Sequence, residues 1–279
     1  MPSSPGPASQ ETLKRQLSDL GVRRGDWLMV HASLKAIGPV ADGPSGVVRA
    51  LAETVGDSGL IMGYGSWDRS PYEQTLNGRR MSRQERDNWP VFDPATAEVY
   101  PGFGRLNAFI LARPGALRSH HPDASMVGFG APAAGVMSPH RLGEAFDRGS
   151  PLERFVQGGG RILTLGAGPD SLTILHYAEA IADIPGKRRV TYEMPVRRAG
   201  ATVWAVAHEY DSNGILDQYA GEGPDAVECI TRDYLTLGRH REGLFGAAVA
   251  RLFEGADLVA FGVEWLERRH GAGDAMPTR

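Results

Sequence analysis

WLMVH (residues 27–31), SGVVRALAETV (45–55) and LIMGY (60–64) decide the fold. The first and last are short apolar runs without polar alternation, the pattern of strands buried on both faces. The middle segment repeats its apolar residues at helical spacing. Strand, helix and strand in that order make the crossover unit of an α/β protein with a parallel sheet. Outward from this core, ETLKRQLSDL (11–20) is helical in period, and Gly21 follows it as a stop. RILTL (161–165) is another buried strand, running into the turn Gly166–Ser171 and a helix from Leu172 to Ala182. Met126–Phe129 reads as a strand. Arg105–Leu111 and Ser150–Gln157 read as short helices, the second with Pro151 in its first turn. Val190–Val196 and Thr202–His208 form a strand pair about the turn Arg197–Ala201. Pro224–Leu237, Gly243–Phe253 and Asp257–Arg269 read as helices. Residues 1–10 are rich in Pro and Ser and are expected to be a disordered tail, with 271–279 as a second flexible tail.

Residues 65–104 carry no strong period. An irregular stretch of that length inside a domain is usually functional. It holds Trp67, Tyr72, Trp89, Phe92 and Tyr100 among Asp68, Glu73 and Asp93. Aromatic faces beside carboxylates suit a polyhydroxylated, cationic ligand. A surface insertion stapled by aromatic contacts fits the residues equally well.

Composition narrows the classes. The chain has 279 residues, 42% hydrophobic and 23% charged, with a formal net charge of -3, so a normal core is available and nucleic acid is a poor partner. Cys229 is the one cysteine, which excludes an intrachain disulfide and fits a cytoplasmic location. No apolar run approaches the roughly 20 residues that span a bilayer, so no membrane partner is expected.

Several constellations carry chemistry. In LHYAE, His176 and Glu179 share a helix face, and a carboxylate beside an imidazole fixes its tautomer and raises its basicity. That is the equipment of a general base, although an HxxE pair is also a common helical ion pair. Here the helix follows a strand through a Gly-rich turn, where α/β proteins gather ligands. His31 ends the strand WLMVH and opens HASLKAIG, whose Ser33, Lys35 and backbone amides suit an anion or an oxyanion. A lone strand-end histidine more often becomes a hydrogen-bonded core residue, and the residues alone leave that alternative open. RSHHPDAS brings Arg118, His120, His121, Asp123 and Ser125 into one loop. A phosphate held by Arg118 is a better use of that loop than a metal, because no HExxH or CxxC supports a ligand set. Glu209, Asp211, Asp217, Glu222, Asp225 and Glu228 form a late acidic cluster that suits ammonium groups or a solvated surface. No GxSxG elbow is present, and Gly102-x-Gly104 and Gly166-x-Gly168 are only fragments of a dinucleotide fingerprint.

LGVRRGDWLMVHASLKAIGPVADGP, MGYGSWDRSPYEQTLNG, FDPATAEVYPGFGRLN, RSHHPDASMVGFG, GSPLERFV, LTLGAGPDSLTILHYAEAIADIP and DLVAFGVEWLE occur in this order. Together they resemble the aminoglycoside 3-N-acetyltransferases of the antibiotic N-acetyltransferase family, from about residue 11 to residue 270. WDRSPYE and FDPATA resemble its gentamicin-modifying branch. The resemblance implies a single three-layer α/β/α domain with a mixed, largely parallel sheet and residues 65–104 as a substrate-binding insertion. It implies acetyl-CoA as co-substrate, no metal, and an aminoglycoside amine as acceptor. By the same resemblance His176 is the general base with Glu179 as neighbour, and the strand-end histidine falls on His31. The coenzyme side falls on Ser33, Leu34, Lys35, Arg118, Ser119 and Ser125. The antibiotic side falls on Tyr64, Trp67, Asp68, Tyr72, Glu73, Asp93, Asp211 and Asp217. The adjacent His120 and His121 depart from the single histidine frequent before the Pro of HPxxS. The resemblance is compatible with a monomer or a homodimer. An acyltransferase for another amine remains as an alternative that an acceptor panel separates; a protein that only sequesters the antibiotic is a lesser one, predicting tight antibiotic binding without acetyl-CoA and no CoA release.

Overall fold

The computed structural model describes residues 6–271. Its first half contains α1 (Gln10–Leu20), β1 (Trp27–Ala32), α2 (Leu34–Ile37), α3 (Gly43–Val55), β2 (Leu60–Tyr64), α4 (Tyr72–Thr75), α5 (Arg83–Asn88), α6 (Leu106–Leu111), β3 (Leu117–Arg118) and β4 (Met126–Phe129). The second half contains α7 (Ala133–Met137), α8 (Pro151–Gln157), β5 (Arg161–Leu165), α9 (Ile174–Ile181), β6 (Arg189–Arg198), β7 (Ala201–Tyr210), α10 (Ala226–Thr236), β8 (Arg241–Phe245), β9 (Ala248–Glu254) and α11 (Gly255–His270).

Seven strands form one sheet in the order β3-β4-β2-β1-β5-β9-β8. The central trio β2-β1-β5 is parallel, and the strands outside it pair antiparallel. Strand alternation produces the layers. Leu28, Val30, Leu163 and Leu165 join the core under α1, α3 and α6, whereas Met29, Met62 and Ile162 join the opposite core with α8, α9, α10 and α11. The crossover from β1 leads to β2 on one side, while β5 lies on the other. The carboxyl ends of β1 and β5 therefore flank a topological switch point, where a crevice opens in an open α/β sheet. His31 pairs in register with Thr164 there.

Three sequence expectations are corrected. Gly243–Phe253 is not a helix but most of the β8–β9 hairpin. Phe245, Ala248, Ala250 and Leu252 are buried while Leu244 and Val249 face outward, a period of two broken by one tight turn. Gly246 makes that turn at φ +60°, and a Cβ there would stand 2.5 Å from the Ile37 carbonyl oxygen. Residues 65–104 are not structureless, since they include α4, α5 and a 3-10 turn at Pro101–Phe103. They lie on the β6–β7 ribbon, where Tyr72 and Leu76 pack with Val190, Tyr192 and Met194 and the Phe92 N–H donates to the Pro195 carbonyl at 2.9 Å. The expected N-terminal tail ends sooner than residue 10. Ala8 bridges Val40, and Ser9 caps α1 by accepting from the Thr12 N–H. The remainder of both expected tails, 1–5 and 272–279, lies outside the described residues.

Candidate active site

Two chambers open above the carboxyl ends of β1 and β5, with volumes of about 590 and 300 Å³. Tyr64, Phe103, His176, Ser212 and Asn213 line both, so His176 stands where they meet. Local sequence puts it there. Strand β5 leaves the sheet through Gly166 at φ +68°, a short 3-10 turn follows at Pro169–Ser171, and α9 begins at Ile174. The third residue of α9 is thus held directly over the crevice.

His176 Nδ1 lies 2.7 Å from Glu179 Oε2, and the carboxylate is buried. Because a carboxylate accepts, Nδ1 carries the hydrogen and Nε2 keeps the lone pair of the neutral ring. Burial alone would lower the imidazole, but the hydrogen bond and charge of Glu179, with Asp225 beyond, outweigh it and hold His176 above the ordinary 6.5. The ring stacks on Phe146 at 5.1 Å and 30°. His31 shares the larger chamber. Burial, reinforced by the nearby His176 charge, lowers it to about 4, so it is neutral at physiological pH. Its buried Nε2 has no hydrogen-bond partner among the described residues.

The chambers differ in chemistry. The smaller is walled by Trp67, Tyr72 and Tyr100 with Asp68, Glu73 and Asp123, a set suited to a polycation bearing hydroxyls. Asp123 accepts from Ser70 Oγ at 2.6 Å. The larger is bordered by Gly102, Gly104, Gly168, Gly221 and Gly223, with Phe103, Asn107, Thr173 and the carboxylates of Asp170 and Asp225 beside them.

Of the residues expected at the site, His176, Glu179 and His31 come together, and Tyr64, Trp67, Asp68, Tyr72 and Glu73 line the smaller chamber. Others are placed elsewhere. Arg118 is buried and bonds Ser125 Oγ at 2.7 Å, the Ala97 carbonyl at 3.1 Å and the Gly65 carbonyl, so both its terminal nitrogens are used inside the protein. Ser119 is bonded to His140 and the Met126 N–H, and Ser125 to the Gly65 carbonyl. These three correct the expectation of a phosphate site. Ser33 caps α2 by accepting from the Ala36 N–H at 3.3 Å, Leu34 borders a separate apolar groove, and Lys35 is exposed on α2, so none of them walls either chamber. Asp93 turns back to the Ala95 N–H and borders a hollow with His120, away from both chambers. Asp217 is paired with Arg188 at 2.8 Å; Asp211, paired with Arg188 at 3.0 Å, lines a small pocket beside His176 and Glu179, but the histidine's hydrogen bond is to Glu179. Sequence reasoning did not assign Phe103, Phe146, Asp123, Ser212 or Asn213 to the site, and it offered Asp225 only within the late acidic cluster. YPGFG, HPDAS and EYDSNG held a signal for most of them, namely an aromatic, a carboxylate or amides next to turn formers. Phe146 had none. Among the described residues no three His, Cys, Asp or Glu side chains converge as metal ligands, and no helix is long and apolar enough to cross a membrane.

On this α/β sheet an imidazole with a carboxylate partner stands between an acidic, aromatic chamber and a larger one, an arrangement that can take a proton from a cationic substrate held beside a second molecule. The family model described as aminoglycoside 3-N-acetyltransferase matches residues 29–267. An aminoglycoside N(3)-acetyltransferase III of Serratia marcescens is 59% identical over 264 residues, covering 94% of this chain and 98% of that one. The crystal structure of the aminoglycoside acetyltransferase AAC(3)-IIb superposes with a TM-score of 0.94 at 58% identity, covering 96% and 100%. AAC-IIIb, solved as a binary complex with CoASH, superposes with a TM-score of 0.90 at 38% identity, covering 96% and 99%. The chain belongs to the aminoglycoside 3-N-acetyltransferase family.

Proposed function

We propose that the protein transfers the acetyl group of acetyl-CoA to the 3-amine of 2-deoxystreptamine aminoglycosides of the gentamicin type, and so confers resistance to them. The observation that carries this reading is the position of His176 at the junction of the two chambers. The coenzyme fits the larger chamber on two grounds. Its volume of about 590 Å³ takes a large substrate, and the His31 imidazole on its wall can direct an N–H at a carbonyl oxygen. When bound, acetyl-CoA supplies an acetyl group activated as a thioester.

The chain's own residues do the rest. Asp68, Glu73 and Asp123 draw ammonium groups into the smaller chamber, and the aromatic walls orient the sugar rings. His176 Nε2 removes one proton from the acceptor ammonium, which frees a lone pair for attack on the acetyl carbon. Glu179 stabilises the imidazolium that results. The attacking nitrogen loses a second proton as the carbon–sulfur bond breaks; one of the two protons passes from His176 to the departing sulfur and the other is released to solvent, leaving a neutral amide and the CoA thiol. Both substrates are bound together, and transfer is direct. The protein acts in the cytoplasm, where acetyl-CoA is made, as a monomer or homodimer.

The test is product analysis. Purified protein is incubated with acetyl-CoA and a panel of aminoglycosides with and without a free 3-amine, and the acetylated position is read by NMR. Acetylation confined to the 3-amine supports the reading. Acetylation of another amine, or none in the panel, contradicts it.

A further inference from the structure

A second buried histidine pair lies behind the site. His121 and His140 have ring centroids 4.8 Å apart and are almost fully buried. Their hydrogens have fixed directions. The Ala124 N–H donates to His121 Nδ1 at 2.9 Å, so His121 carries its hydrogen on Nε2 and donates it to Glu209 Oε1 at 2.8 Å. His140 Nε2 faces the Ala145 carbonyl oxygen at 3.0 Å and donates to it. His140 Nδ1 therefore accepts from the Ser119 hydroxyl at 2.9 Å, and Ser119 accepts in turn from the Met126 N–H on β4 at 2.8 Å. Glu209 Oε1 also accepts the Gly143 N–H at 2.7 Å, and the Tyr192 hydroxyl donates to Oε2.

Two of these bonds end on one short stretch, at the Gly143 N–H and the Ala145 carbonyl. That stretch belongs to no helix or strand and has no ladder of its own. Besides these two bonds, the Glu144 N–H donates to the Arg141 carbonyl at 3.0 Å, and Ala145 and Phe146 pack into the core. The next residue is Phe146, whose ring stacks on His176. We propose that Glu209, with His121 and His140, is a positioning residue: it fixes segment 143–145 so that Phe146 holds the His176 ring with Nε2 toward the acceptor. Three donors already occupy the Glu209 carboxylate, so its part is to hold this segment rather than to bind an ammonium group. The second histidine of HHPD then has a definite task, since it ties the loop after β3 to β7. The proposal rests on His176 being the base.

The test is steady-state kinetics with acetyl-CoA and gentamicin on the full chain. The variants are Glu209→Ala, Glu209→Gln, Phe146→Leu, the Glu209→Ala/Phe146→Leu double and His176→Ala. Misplacing a reacting group by about 1 Å costs on the order of 10²-fold. Glu209→Ala and Phe146→Leu should each lower kcat by roughly 10- to 100-fold on that scale, with both KM values little changed. The double variant should be no worse than the poorer single, because both remove the same support. Glu209→Gln keeps an oxygen for His121 and Gly143 and should keep kcat within a few fold. If Glu209→Ala fails to fold, the Gln and Leu variants still decide. Wild-type kcat in Phe146→Leu, or a Gln variant that folds but is nearly inactive, overturns the proposal. So does a raised acceptor KM at unchanged kcat in Glu209→Ala, which would mean contact with the antibiotic. Near-normal turnover in His176→Ala would overturn the base assignment and the proposal with it. An inactive His176→Ala beside an unaffected Phe146→Leu overturns the proposal alone.

Discussion

His176 Nδ1 and Glu179 Oε2 stand 2.7 Å apart, one helical turn along α9, and this bond assigns the ring's hydrogen to Nδ1 and its lone pair to Nε2. A base must be neutral to act. Since Glu179 holds His176 above 6.5 against the effect of burial, kcat/KM should fall on the acid side with an apparent pKa above 6.5. Removing the carboxylate leaves burial as the main influence, which lowers the imidazole. Glu179→Gln should therefore move the acid limb to lower pH while reducing the plateau, because the imidazolium loses its partner. A pH–rate profile of both proteins checks this. An acid limb that stays in place would show that Glu179 does not set the basicity of His176.

Asp68 and Glu73 wall the smaller chamber. A hydrogen bond to a charged group contributes about 1.5–3 kcal/mol. Asp68→Asn should then raise the acceptor KM on the order of 10- to 100-fold, leave the acetyl-CoA KM nearly unchanged, and weaken the salt dependence of kcat/KM. Initial-rate kinetics with each substrate varied in turn separate the two constants. Equal rises in both would place Asp68 outside the acceptor chamber.

Arg118 bridges Gly65, Ala97 and Ser125 and does not face the chambers. Burial, its largest influence, lowers the guanidinium to about 10, which still leaves it charged at neutral pH. Arg118→Ala should destabilise the fold by about 3 kcal/mol, because buried carbonyls lose their donor and a void remains. Urea unfolding measures the loss. A variant of unchanged stability with a raised acetyl-CoA KM would return Arg118 to the coenzyme side.

Cys229 lies on α10 and borders neither chamber. Burial and the carboxylates of Asp225, Glu228 and Asp233 push its thiol up, away from a reactive thiolate. Cys229→Ala should keep activity within a few fold, and initial-rate patterns should intersect as for a ternary complex. Parallel lines with a folded, inactive alanine variant would mean a covalent acyl carrier instead.

The parallel centre of the sheet was legible in WLMVH, LIMGY and RILTL because strands buried on both faces need unbroken apolar runs. His176 with Glu179 was legible because both residues of the pair lie on one helix. The β8–β9 hairpin was not, since Phe245, Ala248 and Leu252 fall at helical spacing by accident when Gly246 turns the chain between two strands. Arg118 and Ser119 looked like ligands because a loop sequence does not tell whether a polar group faces a cavity or a neighbouring carbonyl. Glu209 and Phe146 depend on contacts with residues distant along the chain, and no local pattern marks such a contact.

The central claim is that His176, between the two chambers, is the base for acetyl transfer to an aminoglycoside. Thiol release from acetyl-CoA in the presence of gentamicin, compared between the native protein and His176→Ala, tests it most directly. The expected result is gentamicin-dependent release that falls by roughly 10²–10⁴-fold in a variant that remains folded. Release at the native rate from His176→Ala, or no gentamicin-dependent release from the native protein, would contradict it.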